Sequence, residues 1–258
     1  LAASGDFINA RENIQQAISK RDDIAEYYLL LGRIELKLDR QINAFHAYKS
    51  ALDLDTANPE ALQSVAELGL QIGRIKDSED AVDRLLVLNP QLTQALLTKG
   101  FIELDRGEIE TAKKIAQQIL QINPRDEGGV ILSARSTALA GKPDDAMKIV
   151  DDAAADIGRT DALNITALEI SRAKGDLAGM KAMLSALSNK MPDNDVFAID
   201  YANTLYKGGD TAAARNMLFR LLQKRSGDQA TVSKIIDRWA EYDQEPLSKE
   251  QLEIVVSK

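Results

Sequence analysis

A period of 34 residues runs through the chain and constrains its fold more than any other feature of the sequence. With Ala25 as position 1, seven units follow one another without insertion or deletion. A fixed period of this size indicates stacked units that contact their neighbours, not one globular core. We therefore predict a single solenoid over residues 1–258. Its parts are a half repeat (1–24), six repeats (25–58, 59–92, 93–126, 127–160, 161–194 and 195–228) and a degenerate final repeat with a cap (229–258).

Position 15 of the repeat marks the point where a first helix ends and the chain reverses. Glycine takes up the left-handed conformation that closes a helix without steric cost. Proline recurs at position 32 (Pro90, Pro124 and Pro192), where it stops a second helix before the next unit begins. Each unit is thus predicted to hold two helices. The residues at position 15 are Gly5, Asp39, Gly73, Gly107, Gly141, Gly175, Gly209 and Asp243.

Position 20 is small in most units, which lets the second helix of a pair approach the first closely. Positions 8 and 27 are small in several units and aliphatic in the others. In the repeat 161–194, Leu168, Met180 and Leu187 replace residues that are small in many other repeats. We expect the helix pair of that repeat to be splayed wider than its neighbours.

The composition favours an all-α fold and excludes several classes of function. Aromatic residues make up 5% of the chain, cysteine is absent, and the net charge is −8. Ala, Leu, Glu and Lys suit amphipathic helices. The negative charge, without any Lys or Arg run longer than two, argues against nucleic acid as a partner. Without cysteine there are no disulfides or thiolate sites, and no apolar run approaches the roughly 20 residues needed for membrane insertion.

The repeat resembles the tetratricopeptide repeat family, in its bacterial-type multi-repeat form. The unit 93–126, TQALLTKGFIELDRGEIETAKKIAQQILQINPRD, carries Gly100, Gly107, Ala112 and Pro124 in the expected places. The resemblance covers nearly the whole chain. It implies an all-α, right-handed superhelical solenoid of antiparallel helix pairs.

Both ends of the chain depart from the full repeat. Residues 1–24 supply a second helix alone, so we expect its partner helix to lie upstream of this sequence. At the other end Pro246 lies between the two helices of the final repeat. Ser248, with Gln251 three residues later, reads as a capping box for the last helix, which is the expected cap of the solenoid.

The resemblance also implies a binding surface, because the family commonly holds a peptide or helix of a partner against its first helices. The relevant positions are 2, 5, 9, 12 and 13. Among the residues that stand there, we select ten candidates for a partner-binding groove. They are Leu97, Phe101, Ile131, Arg135, Ile165, Arg172, Ile199, Asn203, Tyr206 and Lys207.

The apolar and aromatic members of this set are expected to form the floor of the groove, as an exposed apolar strip that marks a contact surface. The alternative is that position 5 merely packs one first helix on the next. One branch of the family grips a chaperone carboxylate with Lys at position 5 and Asn at position 9. Here position 5 never holds Lys and Asn203 matches alone, so that clamp is absent.

Enzyme chemistry has little support in the sequence, and we predict no catalytic, cofactor or metal site. The one histidine, His46, falls at position 22 of a second helix, where a solvated side chain is expected. Neighbouring acidic residues such as Asp144 and Asp145 face different ways on a helix and favour its N-terminus electrostatically. Gly128 and Gly129 lack the strand and the Gly-Lys-Ser/Thr of a phosphate loop, and are expected in the first turn of a helix.

The predicted function is a non-catalytic scaffold or adaptor for a protein or peptide partner. The alternatives are a structural module that self-associates through its open ends, and an adaptor domain of a larger protein. The resemblance also extends to bacterial envelope proteins of this type, which favours a periplasmic or envelope location over the cytoplasm.

Overall fold

A computed structural model describes residues 2–225 and 228–242. Over those residues the chain forms fourteen α-helices and no β-strand, which confirms the all-α helical-repeat prediction. The helices are α1 (Ala2–Lys20), α2 (Ala25–Lys37), α3 (Gln41–Leu54), α4 (Pro59–Gln71), α5 (Ile75–Leu88), α6 (Thr93–Asp105), α7 (Ile109–Ile122), α8 (Glu127–Leu139), α9 (Pro143–Ile157), α10 (Asp161–Lys174), α11 (Leu177–Lys190), α12 (Asp195–Lys207), α13 (Thr211–Arg225) and α14 (Gln229–Tyr242).

The chain divides into two compact units, Leu1–Ser136 and Thr137–Lys258, with the boundary inside α8. In the first unit, α2 packs on α3, α4 on α5 and α6 on α7. In the second, α10 packs on α11 and α12 on α13. Every one of these pairs falls within one 34-residue repeat, as the period predicts. The continuous solenoid over the whole sequence stays a prediction.

Left-handed backbone closes the first helices at position 15. The φ angle is 57° at Asp39 and 76° at Gly73, and it is also positive at the next four position-15 residues. Among the described residues, Asp39 is the one non-glycine with a positive φ. The reversals predicted from Asp39 to Gly209 are therefore confirmed. Asp243 lies outside the described residues.

The reversal predicted at Gly5 is wrong. Gly5 lies inside α1, which begins at Ala2. A glycine within a helix costs about 1 kcal/mol relative to alanine, which a helix that packs on a neighbour tolerates.

Small residues lie where the two helices of a pair meet. At position 20, Ala44, Ser78, Ala112, Ala146 and Ala214 are all completely buried. Their short side chains leave room for the backbone of the facing helix, as the sequence predicts.

The glycines at position 8 make room for a large neighbour. A Cβ atom at Gly32 would lie 2.7–2.9 Å from ring atoms of Tyr48, because the ring packs directly on the α2 backbone. At Gly100 the space is filled by Leu132, which comes from the following first helix. A glycine at position 8 thus makes room for a side chain of its own repeat in one case and of the next repeat in the other.

The repeat 161–194 packs differently. Leu168 and Leu187, which replace small residues, are buried together with Leu184, and Met180 lies half-buried against them. The wider spacing expected for that repeat stays a prediction.

The terminal helices follow the frame as far as the structure describes them. α1 packs on α2, and its Ile14 is buried. In α14, Val232, Ile235 and Trp239 are buried against the preceding pair. The predicted last helix lies outside the described residues, together with Pro246, Ser248 and Gln251.

Candidate partner-binding surface

All ten candidate groove residues lie on first helices. Leu97 and Phe101 are on α6, and Ile131 and Arg135 are on α8, within the first compact unit. The other six belong to the second unit, on α10 and α12. They are Ile165, Arg172, Ile199, Asn203, Tyr206 and Lys207.

In the first unit, two candidate pairs come together. The guanidinium carbon of Arg135 lies 5.6 Å from the ring centroid of Phe101, a cation–π distance. Leu97 covers the backbone of Gly128 in the first turn of α8, so that a side chain at Gly128 would overlap it. Gly128 and Gly129 are in that first turn as expected, and Asp126 caps it by accepting a hydrogen bond from the Gly129 N–H at 2.8 Å.

The expected floor of the groove is half-buried instead of exposed. Leu97, Phe101, Ile131, Ile165, Ile199 and Tyr206 are all of intermediate exposure. Leu97 and Phe101 pack against the core formed by α6 to α8, and Ile199 and Tyr206 pack against the core formed by α12 to α14. Leu97 therefore packs on the next first helix, α8, as in the alternative interpretation, while part of its side chain stays accessible.

In the second unit, charged and polar candidates line a cavity of about 360 Å³. Arg172 and Asp200 form an ion pair between α10 and α12. Thr204 donates its hydroxyl hydrogen bond to the Asp200 backbone carbonyl at 2.8 Å. The full lining is Arg172, Gly175, Leu177, Met180, Asp200, Asn203, Thr204 and Lys207.

Tyr242 engages two of the candidates from the last described helix. Its ring stacks on Tyr206 with centroids 4.4 Å apart and planes 14° apart. Its hydroxyl donates to the Asn203 side-chain oxygen at 2.9 Å. Asn203 is thereby held in one orientation, and Tyr206 is covered on one ring face.

Sequence reasoning missed Asp200, Thr204 and Tyr242. A usable signal was present for Asp200, because opposite charges 27 or 28 residues apart pair between the equivalent helices of successive repeats. The sequence separation is 28 residues for Arg172 with Asp200, 28 for Lys49 with Asp77 and 27 for Arg33 with Glu60. No comparable signal marks Tyr242, whose role depends on how α14 packs.

The Arg33–Glu60 pair shows the electrostatic effect of such contacts. Both guanidinium branches contact the carboxylate, with Arg33 Nε 2.5 Å from Glu60 Oε1. These hydrogen bonds from Arg33 hold the pKa of Glu60 below its usual value. The pair joins α2 to α4, so it links two successive repeats.

A second set of apolar residues is more exposed than the predicted floor of the groove. Position 30 at the C-terminal ends of second helices holds Leu54, Leu88 and Ile122, which are exposed. Beside Leu88, Val87 is 83% exposed, and both line a cavity of about 690 Å³ with Asp80, Asp83 and Arg84. The sequence analysis did not select this surface.

The described residues were also compared with the sequence predictions on metal ligands, His46 and the acidic neighbours. No group of three or more His, Asp or Glu within it is arranged to hold a metal ion. His46 is exposed on α3, as expected, and Asp144 is paired with Lys174. None of the helices in the described ranges combines the length and apolar character needed to cross a membrane.

Comparison with known proteins agrees with the helix-pair geometry. The family model for the tetratricopeptide repeat matches residues 25–58, the unit that contains α2 and α3. A solved tetratricopeptide repeat protein from Parabacteroides merdae superposes with a TM-score of 0.72 at 18% identity, covering 92% of this chain and 93% of that one. Residues 25–58 therefore match the tetratricopeptide repeat family, and the chain shares the helical-repeat fold of these proteins. A further member from Thermus thermophilus has a TM-score of 0.62 at 21% identity, over 70% of this chain and 99% of its own.

Two curated relatives are much longer than this chain. Protein O-mannosyl-transferase TMTC3 of Homo sapiens is 30% identical over 122 residues, which is 45% of this chain and 13% of that protein. Cellulose synthase operon protein C of Xanthomonas axonopodis pv. citri is 28% identical over 186 residues, or 69% of this chain and 12% of that protein. The chain therefore spans about an eighth of the length of these relatives.

Proposed function

We propose that this chain is a non-catalytic scaffold that binds a peptide segment or a helix of a partner protein across its first helices. The tetratricopeptide repeat fold in general supports a role in protein interaction. The finer proposal, a binding surface on the first helices, depends on the geometry of the candidate residues.

One observation carries the proposal. In the second unit, Arg172 of α10 and Asn203 and Lys207 of α12 line one cavity, although they come from two successive repeats. A surface that several repeats build together suits an extended ligand, because such a ligand contacts each repeat in turn.

The absence of catalysis is part of the proposal. The chain has no cysteine and a single histidine, His46, which is exposed. Nucleophilic catalysis usually needs a nucleophile activated by a neighbouring base, and the sequence shows no motif of that kind. The transferase name belongs to a relative of which this chain spans 13%, so its activity is not carried over.

Site-specific crosslinking tests the binding surface, because a chain without cysteine accepts a single labelled cysteine anywhere. A photoactivated label would be attached at Gln63→Cys or Lys207→Cys, which are exposed first-helix positions in the two units. The matched controls are Lys114→Cys and Arg220→Cys, exposed on second helices of the same units. We expect partner crosslinks at the first-helix sites that excess unlabelled chain competes away.

Two results would contradict the proposal. Equal crosslinking from the second-helix sites would mean that the first helices have no special role. Crosslinking confined to Lys114 and Arg220 would move the binding surface to the second helices.

Self-association is the second candidate function, and the exposed apolar residues Val87 and Leu88 favour it. Exposed apolar clusters of this kind mark contact surfaces between proteins. Light scattering over a range of concentrations tests it. A concentration-dependent mass that Val87→Glu abolishes would support self-association, and a monomer at every concentration would exclude it.

The third candidate is an adaptor domain within a larger protein. It is favoured by the small share, 13% and 12%, that this chain spans of its curated relatives. Determining the full-length gene product tests this candidate directly.

A further inference from the structure

The cavity of about 690 Å³ in the first compact unit lies between α5 and the connection from α3 to α4. Its lining shares no residue with the ten groove candidates, so a binding role for it goes beyond the proposed surface on the first helices. The lining residues are Thr56, Ala57, Leu62, Asp80, Asp83, Arg84, Val87 and Leu88.

Val87 has an exposure that its own helix pair does not explain. It is 83% exposed, so its side chain contributes little to the core. The preceding and following repeats hold Asp53 and Gln121 at the same position 29, and both are exposed. The fold therefore does not require an apolar residue there. Together with Leu88, which is 54% exposed, Val87 forms an aliphatic patch of the kind that contacts another molecule.

Two carboxylates stand beside this patch. Asp80 and Asp83 lie about one turn apart on α5, and their side chains are 68% and 65% exposed. Each uses one oxygen within the protein, because Asp80 Oδ2 pairs with Arg84 at 3.0 Å and Asp83 Oδ1 with Lys99 at 2.9 Å. The acidic pair distinguishes the repeat 59–92 from its two neighbours. At the same positions, 22 and 25, the neighbours hold His46, Lys49, Lys114 and Gln117.

The backbone adds negative charge at the same edge. The lining includes the residues just after α3 and the last two of α5, and neither helix has a basic residue in its last turn. The C-terminal end of a helix carries about half a negative elementary charge. Asp53 and Asp55, just before Thr56, are exposed carboxylates. Arg84 is engaged by the Thr56 carbonyl and by Asp80, so the field at the cavity favours a cation.

This charge decides between two occupants for the patch. A two-fold contact between copies of the chain would bring the same carboxylates of both copies together. The net charge of −8 on each copy adds to that repulsion. Like charges that face each other across an interface oppose association, whereas a cationic partner is attracted.

We propose that this cavity binds a segment of a partner protein that carries Lys or Arg beside an aliphatic residue. The aliphatic side chain packs on Val87 and Leu88. The cation pairs with the carboxylate oxygens of Asp80 and Asp83 that face solvent. The methylene groups of a Lys or Arg side chain cover apolar surface while the charged end stays in water, which suits a patch with this composition.

Short random peptides displayed on phage provide the probe. Peptides that bind the natural chain are depleted on Val87→Gln, which places at position 29 the residue that the following repeat holds there. Because Val87 is exposed, the variant should fold like the natural chain, and urea unfolding checks this. We expect the peptides that remain to carry Lys or Arg beside an aliphatic residue.

Synthetic versions of a selected peptide then measure the apolar contact by fluorescence anisotropy. Val87→Gln should weaken binding about tenfold or more, because the contact loses a valine side chain that the peptide covers. The matched control is Val196→Gln, which removes an exposed valine of α12 in the second unit. It should leave binding unchanged.

The charged contact has its own measurement. The Asp80→Asn, Asp83→Asn double variant should weaken binding about threefold to tenfold at low salt, as expected for exposed ion pairs. The difference should shrink at high salt, where exposed charges are screened. A peptide with Gln in place of its basic residue should bind the natural chain and the double variant equally. Asp152→Asn removes a similarly exposed carboxylate, paired with Lys148 on α9, and should have no effect.

Four results would overturn the inference. They are enrichment of peptides without basic residues, failure to select any peptide against the Val87→Gln background, binding that Val87→Gln leaves unchanged, and binding that is insensitive to loss of the basic residue. A dimer in light scattering that Val87→Gln abolishes would also overturn it, because the patch would then belong to a second copy. The first-helix crosslinks from Gln63 and Lys207 do not depend on this cavity, so they test the proposed function separately.

Discussion

The helix pairs α2–α3 and α10–α11 occupy equivalent places in two repeats, but different combinations of side-chain size fill the contact between their helices. In the first pair, Gly32 leaves space that the ring of Tyr48 fills completely. In the second, Leu168 stands in the place of Gly32 and Leu184 in that of Tyr48, so two side chains of similar size meet. Both contacts are filled, although with different residues, because a protein interior tolerates neither voids nor overlap.

The two pairs also differ in how well they can adjust. Tyr48 is a rigid ring against backbone, while Leu168 has the flexible neighbours Met180 and Met183. A substitution in the α2–α3 contact should therefore lower the free energy of unfolding more than a similar substitution in the α10–α11 contact.

The largest expected effect is that of Tyr48→Ala. Removing the ring leaves a cavity that Gly32 cannot fill, so the free energy of unfolding should fall by about 3–5 kcal/mol. Leu168→Ala, as the matched change in α10–α11, should cost about 2–3 kcal/mol because the methionines relax into the space. Urea unfolding followed by circular dichroism measures both. A larger loss for Leu168→Ala would break the comparison.

The next effect is that of Gly32→Ala. The added Cβ would lie 2.7–2.9 Å from three ring atoms of Tyr48, which forces the helices apart. We expect a loss of about 1–3 kcal/mol in the free energy of unfolding, as in other overpacked interiors.

The double variant Gly32→Ala, Tyr48→Leu provides the control for that change. It approximates the aliphatic contact of α10–α11, so the added methyl group should cost less with Leu at residue 48 than with Tyr. A double-mutant cycle without coupling between the two residues would contradict direct contact as the cause.

A smaller effect concerns the reversal after α2. Asp39 has a φ of 57°, where α10 ends at Gly175 with a φ of 69°. Because a left-handed conformation strains an L-residue and not glycine, Asp39→Gly should raise the free energy of unfolding by about 0.5–1 kcal/mol. Gly175→Ala should lower it by a similar amount. Thermal unfolding compares the two, and a stabilised Gly175→Ala protein would refute the argument.

The smallest effect is the pH dependence of the Arg33–Glu60 contact between α2 and α4. The pKa of Glu60 is lowered by Arg33, so the contact stabilises the fold above the ordinary glutamate pKa of about 4.3. This contribution is lost as the pH falls through the lower, folded-state pKa. Both side chains are partly exposed, so its size should stay below about 1 kcal/mol.

Arg33→Gln tests this pH dependence. The difference in free energy of unfolding from the natural chain should be constant at neutral pH and shrink under acid conditions. A difference that grows as the pH falls would have the wrong sign for this mechanism.

Much of the fold could be predicted because its markers are local. The reversals from Asp39 to Gly209 depend on the conformation of single residues, and the prolines at position 32 act on their own helix. The prediction failed at Gly5, where the same residue type continues a helix. A glycine permits a reversal without requiring one, so its neighbours decide.

For the candidate surface, the sequence predicted which helices carry the residues, but not how far each side chain is buried or what it contacts. The repeat frame assigned all ten residues to first helices, where they lie. It did not give the half-buried state of Leu97 or Ile199, because exposure depends on the distance to the next helix. It also did not predict the hydrogen bond from Tyr242 to Asn203, which joins residues 39 positions apart.

The sequence by itself determined the repeat length, the helix pairs, the reversals and the absence of thiol chemistry, since each follows from residue types at fixed spacing. The tertiary structure decided which side chain fills each small position. Gly32 receives Tyr48 from its own repeat, and Gly100 receives Leu132 from the next one. Periodicity places a residue on a helix face, whereas the partner of that face depends on the packing of all neighbouring side chains at once.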